Sequence, residues 1–110
     1  MQLFREVLAK TEAGRIRWQP TASDSDYFSV LPGGFTIAVR SYRDWDIPTQ
    51  QYVLQYALVL SNGEQELLRV TPEVDEVGLE GLEKLHELAR RRALNVDEVV
   101  DKFLGELAKL

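Results

Sequence analysis

The chain has 110 residues, 18 acidic and 13 basic side chains, a formal net charge of −5, no cysteine and one histidine. This length is typical of one globular domain spanning residues 1–110, and without cysteine neither a disulfide framework nor thiolate chemistry is possible. We expect no membrane-spanning segment and no signal peptide, because the sequence has neither an apolar run of about 20 residues nor a charged and then apolar N-terminal region.

The N-terminal segment has the spacing of an amphipathic helix. Apolar side chains recur every three or four residues and predict a helix over residues 2–12: Leu3, Phe4, Val7 and Leu8. Gly14 then acts as a stop signal. Because so short a helix needs tertiary packing to persist, we expect its apolar stripe to lie on the rest of the fold.

Five segments with strand character follow, over residues 15–19, 27–31, 35–42, 51–60 and 65–70. In the first, Ile16 and Trp18 share one face. Pro32-Gly33-Gly34 predicts a turn, residues 43–50 a longer loop, and Ser61-Asn62-Gly63-Glu64 a hairpin with a type I′ turn. Consecutive strands joined in this way form an antiparallel meander.

Two helices complete the chain. The second is predicted over residues 79–93, after Thr71-Pro72 and an acidic linker or extra turn at residues 73–76. Asn95 is predicted to cap the third helix, with Glu98 completing a capping box. The third helix carries one wide apolar stripe: Val96, Val99, Val100, Phe103, Leu104 and Leu107. The predicted fold class is α+β, a five-stranded antiparallel meander with one N-terminal and two C-terminal helices covering one face.

The net negative charge of the chain arises entirely in its C-terminal half. Residues 1–60 carry six basic and six acidic groups, whereas residues 61–110 carry seven basic and twelve acidic groups. An acidic domain repels phosphate backbones, so we expect no nucleic-acid partner. The one basic cluster, Arg90-Arg91-Arg92, is interpreted as complementing the negative end of the second helix.

Catalytic chemistry has few candidate residues. His86 is the only imidazole and lies on the apolar stripe of its helix, which favours a partly buried position at the sheet. No serine lies in a G-x-S-x-G motif, and no phosphate-binding loop is present. Glu83 and His86 have the i, i+3 spacing of di-iron bundles, but only one such motif occurs. We therefore predict a non-enzymatic protein with no catalytic residue, no metal and no cofactor.

Aromatic and apolar residues of the sheet suggest an interface. Trp45 lies in a polar segment and either folds back on the sheet edge or is presented to a partner. Val53, Ala57 and Val59 make the second face of the fourth strand more apolar than a solvated face should be. These four residues are the candidate interface, formed with a loop or with another subunit.

A different use of the sheet is a small ligand site. Arg40, Tyr52, Tyr56 and His86 are the candidate ligand face, and they are the residues that a small enzyme or ligand-binding domain would use. Their polar groups are too few and too scattered to name a reaction.

The stretches LAKTEAGRIRWQPTASDSDYFSVLPGGFTIAV and LHELARRRALNVDEVVDKFLGEL together resemble small bacterial α+β proteins of uncharacterised function. The shared features are a short first helix, a Gly-basic-apolar-basic-Trp strand, hairpins, and an Ala-Arg-rich helix leading into a Val-Asp-Glu cap. The resemblance covers most of the chain. It implies an α+β fold and a bacterial, cytoplasmic setting, and it assigns no site residue.

Three functional hypotheses follow. The first is a protein-interaction module that associates with itself as a homodimer. The second is a cytoplasmic chaperone or immunity-type protein for one cognate partner, since an acidic domain suits a basic partner. The third is a small enzyme or ligand-binding domain using the candidate ligand face. None of them involves a nucleic acid or a membrane.

Overall fold

A computed structural model of the protein describes residues 2–23, 25–72 and 78–110. The elements, in chain order, are α1 (Gln2–Glu12), β1 (Gln19–Pro20), β2 (Asp26–Val30), β3 (Phe35–Asp46), β4 (Gln51–Asn62), β5 (Gln65–Val70), α2 (Gly78–Ala93) and α3 (Val96–Leu107). The predicted acidic linker at residues 73–76 lies outside the described residues.

The strands form one sheet in the order β1-β2-β3-β4-β5, and every neighbouring pair is antiparallel. The predicted meander is therefore confirmed, and so is the α+β arrangement of one N-terminal and two C-terminal helices. The long central pair, β3 with β4, stays in one register from Phe35 opposite Asn62 to Asp46 opposite Gln51. This register decides which side chains share a face of the sheet.

The core lies between one face of the sheet and helices α1 and α2. It contains residues from α1, from the segment before β1, from the sheet and from α2: Phe4, Val7, Trp18, Tyr27, Ile37, Val39, Tyr56, Leu58, Val70, Leu82, Leu85 and Ala89. Thr11 is fully buried among them and joins α1 to the sheet layer. Its hydroxyl donates to the Val7 carbonyl oxygen at 2.7 Å and accepts the Trp18 indole N–H at 3.0 Å.

The first predicted strand is wrong in extent, although its alternation is right. Ile16 and Trp18 point inward while Arg15 and Arg17 are exposed. Only Gln19 and Pro20 pair with β2, opposite Phe28 and Tyr27, and the residues before Gln19 do not pair with Ser29 and Val30, which continue β2 in that register. An alternating sequence indicates only that one side of a segment is buried. A β-strand also needs a neighbouring strand that forms hydrogen bonds with its backbone.

The predicted loop at residues 43–50 is also corrected. β3 continues through Arg43, Asp44 and Trp45 to Asp46, and only residues 47–50 form the turn. Asp and Arg are poor strand formers in isolation. Here they are held by pairing with β4, in which Trp45 lies directly opposite Tyr52.

Two local predictions at turns and caps need correction. The hairpin after β4 is present, but Asn62 pairs with Gln65, which leaves Gly63 and Glu64 as the two loop residues. Gly63 has φ 64° and no other residue of the turn has a positive φ, which fits type II′ and not type I′. Asn95 is the N-cap residue of α3, as predicted, but it adopts a left-handed conformation and makes no side-chain capping hydrogen bond, so the predicted capping box is wrong.

The third helix departs from the predicted role of its stripe. None of its residues is buried, and it contributes none to the core. Within the described chain α3 packs mainly against α2, and the helix residues of the core come from α1 and α2. None of the described helices is long and apolar enough to cross a membrane.

Candidate functional site

His86 lies on α2 between two tyrosines of the sheet. Its ring is 5.4 Å from that of Tyr27 and 5.2 Å from that of Tyr56, edge-to-face in both cases. Nε2 lies 2.8 Å from the carbonyl oxygen of Ser25, and since a carbonyl only accepts, Nε2 carries the proton and donates. The imidazole thus ties α2 to the start of β2, as expected for a partly buried histidine at the sheet.

The chemistry of this cluster is that of a packed aromatic group. Burial raises the pKa of the Tyr56 phenol, and the nearby carboxylates of Glu83 and Glu87 raise it further. A phenol that holds its proton more firmly than usual is a hydrogen-bond donor and a poor nucleophile. Within the described part of the chain, no three His, Asp or Glu side chains lie close enough together to hold a metal ion.

The four residues of the candidate ligand face are divided by the sheet. Tyr56 and His86 are in contact on the helix-covered face. Tyr52 lies on the same face four residues along β4, about 13 Å away by strand geometry, and is exposed. Arg40 lies directly opposite Ala57, on the other face. Tyr27 completes the cluster and was missed by the sequence analysis, although its position in an alternating strand was a usable signal.

The candidate interface residues are also on opposite sides of the sheet. Trp45 shares a face with Tyr52, and their rings pack edge-to-face at 5.0 Å. Val53, Ala57 and Val59 point to the face that α1 and α2 leave open. Ala57 is 0% exposed and Val59 only 6% exposed within a single chain. The apolar character of Ala57 and Val59 therefore requires no second subunit, whereas Val53 is only partly buried.

Arginine side chains help to cover these two residues. Arg40 lies directly across from Ala57, and Arg69 directly across from Val59. Cross-strand neighbours are close enough for the aliphatic stems to cover the smaller side chains while the guanidinium groups stay in water. Asp26 pairs with Arg40 at 3.2 Å and Glu66 with Arg69 at 2.8 Å, and the hydrogen bond from Arg69 lowers the pKa of Glu66.

The largest exposed apolar surface on a helix belongs to α3. We define the α3 stripe as Val99, Val100, Phe103, Leu104 and Leu107, which are between 45% and 61% exposed. All five lie within one side of the helix, whereas its charged residues occupy the other side. The sequence predicted this stripe, but the expectation that the sheet would cover it is wrong.

A second exposed apolar surface lies where the β3–β4 pair extends beyond its neighbours. We define the ribbon as residues 42–46 and 51–55, which pair only with each other, because β2 pairs with residues 36–40 and β5 with residues 58–62. On the face that continues the core, Trp45, Tyr52 and Leu54 are between 50% and 68% exposed. A two-stranded ribbon of this kind is marginally stable alone.

Two cavities lie apart from these surfaces. A polar one of about 500 Å³ is lined by Arg17, Gln19, Arg92 and Asn95, among others. An apolar one of about 350 Å³ opens between α1 and the sheet, beside Leu3 and other apolar residues. Neither is lined by any residue of the candidate ligand face.

The arrangement as a whole is one of packing surfaces. Two ion pairs of the sheet join Asp26 to Arg40 and Glu66 to Arg69, and Tyr27 and Tyr56 pack against the His86 ring, whereas the α3 stripe and the ribbon expose apolar side chains. Comparison of the chain with protein-family models, curated proteins and solved structures gives no significant match.

Proposed function

We propose that this chain is a non-enzymatic protein-interaction module that associates with itself as a homodimer. The observation that carries the proposal is the α3 stripe, five half-exposed apolar residues on a regular helix that contributes nothing to the core. Exposed apolar patches of this kind mark interaction sites on folded proteins. From the resemblance described above, we extend the proposal to the bacterial cytoplasm.

The state of α3 supports this use. Isolated helices of 12 residues are marginal in water, and α3 has this length. Helix stability in proteins comes chiefly from packing the apolar face, and in a single chain that face stays about half exposed. A partner that buries the stripe would supply the missing packing.

The position of His86 supports a non-enzymatic role. His86 is the only histidine, and its Nε2 donates a hydrogen bond to the Ser25 carbonyl oxygen. The rings of Tyr27 and Tyr56 pack against its imidazole. A general base needs a nitrogen within reach of a substrate proton. In this chain the imidazole holds α2 to the sheet instead.

Light scattering coupled to size-exclusion chromatography tests the proposal. The wild-type chain is expected to elute with twice the 12.6 kDa mass of one chain. Phe103→Glu places a charge in the centre of the α3 stripe and is expected to give a monomer that keeps the wild-type circular dichroism, because Phe103 is not part of the core. A wild-type protein that stays monomeric at the highest concentration reached would refute self-association.

The matched control is Gly105→Glu, which adds the same charge on the polar side of α3. A side chain at this position meets no other atom within 4 Å. We expect this variant to associate as the wild type does. Loss of association in both variants would point to helix charge rather than to the apolar stripe.

A chaperone or immunity-type protein for one basic cognate partner is the second candidate. It is favoured by the charge of α3, which carries four carboxylates and one lysine between Val96 and Leu107. An acidic helix with an apolar stripe suits a basic amphipathic partner. Co-purification from the native host with the wild-type chain, but not with Phe103→Glu, is the expected result. Recovery of no stoichiometric partner would count against it.

A further inference from the structure

We propose that the α3 stripe of one chain docks on the ribbon of a second copy, and that the exchange is reciprocal in a two-fold dimer. This inference rests on the proposed self-association and names its two surfaces. Each chain exposes two different apolar surfaces, the α3 stripe and the ribbon. In the proposed dimer, the stripe of one chain buries the ribbon of the other.

The ribbon continues the sheet face that helices cover elsewhere. Along β4, Leu58 and Tyr56 are buried beneath the helices, and Leu54 and Tyr52 follow on the same face without cover. Along β3, Trp45 stands opposite Tyr52 and packs against its ring. A helix laid on these three side chains would extend the existing helix layer by one member.

The α3 helix matches that vacant position in length. Its 12 residues span about 18 Å at 1.5 Å per residue. Each strand of the ribbon has five residues and spans roughly 14–17 Å at 3.4 Å per residue. A helix stripe of Val, Phe and Leu and a sheet face of Trp, Tyr and Leu are the usual partners in packing between a helix and a sheet.

Charge favours the ribbon over a second α3 as the partner of the α3 stripe. Arg43 is the only charged side chain on the helix-facing side of the ribbon, where it lies opposite Leu54. It forms none of the ion pairs found among the described residues. On α3, Asp101 is likewise outside those ion pairs, and the helix from Val96 to Leu107 carries a net charge of −3. A second α3 would bring two net charges of −3 together, whereas the ribbon has a net charge of −1 and its two aspartates, Asp44 and Asp46, lie on the face away from the docking surface.

Within one chain the two surfaces do not meet, since the residues of both are about half exposed or more. In a dimer with a two-fold axis, the α3 of each chain covers the ribbon of the other, so that neither the α3 stripes nor the ribbons stay exposed. The contact is made twice in one dimer, and the assembly closes without forming a filament.

Two pairs of matched variants test the geometry. Phe103→Glu disrupts the α3 stripe, with Gly105→Glu as its control on the polar side. Tyr52→Glu disrupts the ribbon, with Tyr42→Glu as its control, because Tyr42 belongs to the same ribbon but points to the opposite face. Each substitution adds one negative charge. We expect Phe103→Glu and Tyr52→Glu to raise the dimer dissociation constant at least about tenfold, and both controls to change it much less.

Mixing the two disruptive variants is the decisive experiment. In the mixture, one chain supplies an intact ribbon and the other an intact α3, so one of the two contacts is restored. Sedimentation velocity is expected to show a dimer in the mixture at concentrations at which each variant alone is a monomer. Circular dichroism of each variant checks that it is folded.

Three other results separate the possible failures. A monomeric wild-type chain would refute self-association itself. A Tyr52→Glu variant that associates like the wild type, beside a monomeric Phe103→Glu, would show pairing of α3 with α3 and overturn this inference alone. A mixture that stays monomeric would also overturn the reciprocal exchange.

Discussion

Thr11 joins two elements that have no other side-chain hydrogen bond between them in the described chain. Its buried hydroxyl accepts the indole N–H of Trp18 and donates to the Val7 carbonyl, so α1 and the segment before β1 are fixed to each other. A buried donor that loses its acceptor costs more than the bond itself contributes. The residue is therefore structural despite its polar side chain.

Replacing Thr11 by valine keeps the shape and removes the acceptor. We expect Thr11→Val to lower the free energy of unfolding by about 1–3 kcal/mol, since the Trp18 N–H stays buried without a partner. Urea denaturation measures the change. In a double-mutant cycle with Trp18→Phe, the two effects should not add, and additivity would show that the hydrogen bond contributes nothing.

Tyr56 links stability to alkaline pH. Burial and the carboxylates of Glu83 and Glu87 raise the pKa of its phenol above the ordinary 10.0. The folded state then holds the proton more tightly than the unfolded state, so this stabilisation is present below pH 10 and is lost as pH rises through the folded pKa. The free energy of unfolding should fall above pH 10.

Tyr56→Phe provides the comparison, because it keeps the ring against His86 and removes the titrating group. Denaturation at a series of pH values should show a shallower alkaline decline for this variant than for the wild type. An identical decline in both proteins would mean that other tyrosines or general repulsion account for it.

Among the secondary-structure elements, the bounds of a helix or strand could be predicted from sequence where its apolar residues follow one clear periodicity. The apolar spacing of Leu3, Phe4, Val7 and Leu8 gave α1 its bounds, and the glycine turn placed β5 correctly. Pairing across the sheet was not visible in the same way. Arg43 to Asp46 are in a strand only because β4 lies beside them, and residues 15–18 are not in one because they do not pair with β2.

The site was predictable to a similar extent. The stripe of α3 and the location of His86 at the sheet followed from helical spacing alone. The sequence could not show that Trp45 and Val53 point to opposite faces, because the loop predicted between them concealed the register of β3 on β4. A slip of one residue in register exchanges the two faces of a strand.

Two glycines in different elements should respond oppositely to alanine. Gly63 has φ 64°, which an L side chain adopts at a cost of about 1–2 kcal/mol, so Gly63→Ala should destabilise the β4–β5 hairpin. Gly105 lies in α3 with open space around it, so Gly105→Ala should favour the helix by about 1 kcal/mol. Thermal unfolding of Gly63→Ala and the helical circular dichroism of Gly105→Ala measure the two effects. Equal signs would contradict the assignment of the turn.

The whole molecule is more extended than its length requires. Its Cα radius of gyration is 16.0 Å, against about 13 Å for a compact domain of this size. The ribbon extends beyond its neighbouring strands, and α3 lies outside the core. These are the two parts that the proposed dimer brings together.

Small-angle X-ray scattering can check this shape in the absence of association. Phe103→Glu, as a folded monomer, should give a radius of gyration near 16 Å and clearly above the compact value. A value near 13 Å would show that α3 folds back on its own chain, which would remove the basis of the exchange.

The absence of α3 from the core separates two requirements on the sequence. If the proposed self-association holds, substitutions along its stripe alter the contact with the second copy, while the packing of α1 and α2 on the sheet carries folding. Selection would then be able to alter the strength of the proposed pairing without destabilising the fold. For the same reason, α3 could be transplanted or replaced in a designed assembly while the rest of the domain is kept unchanged.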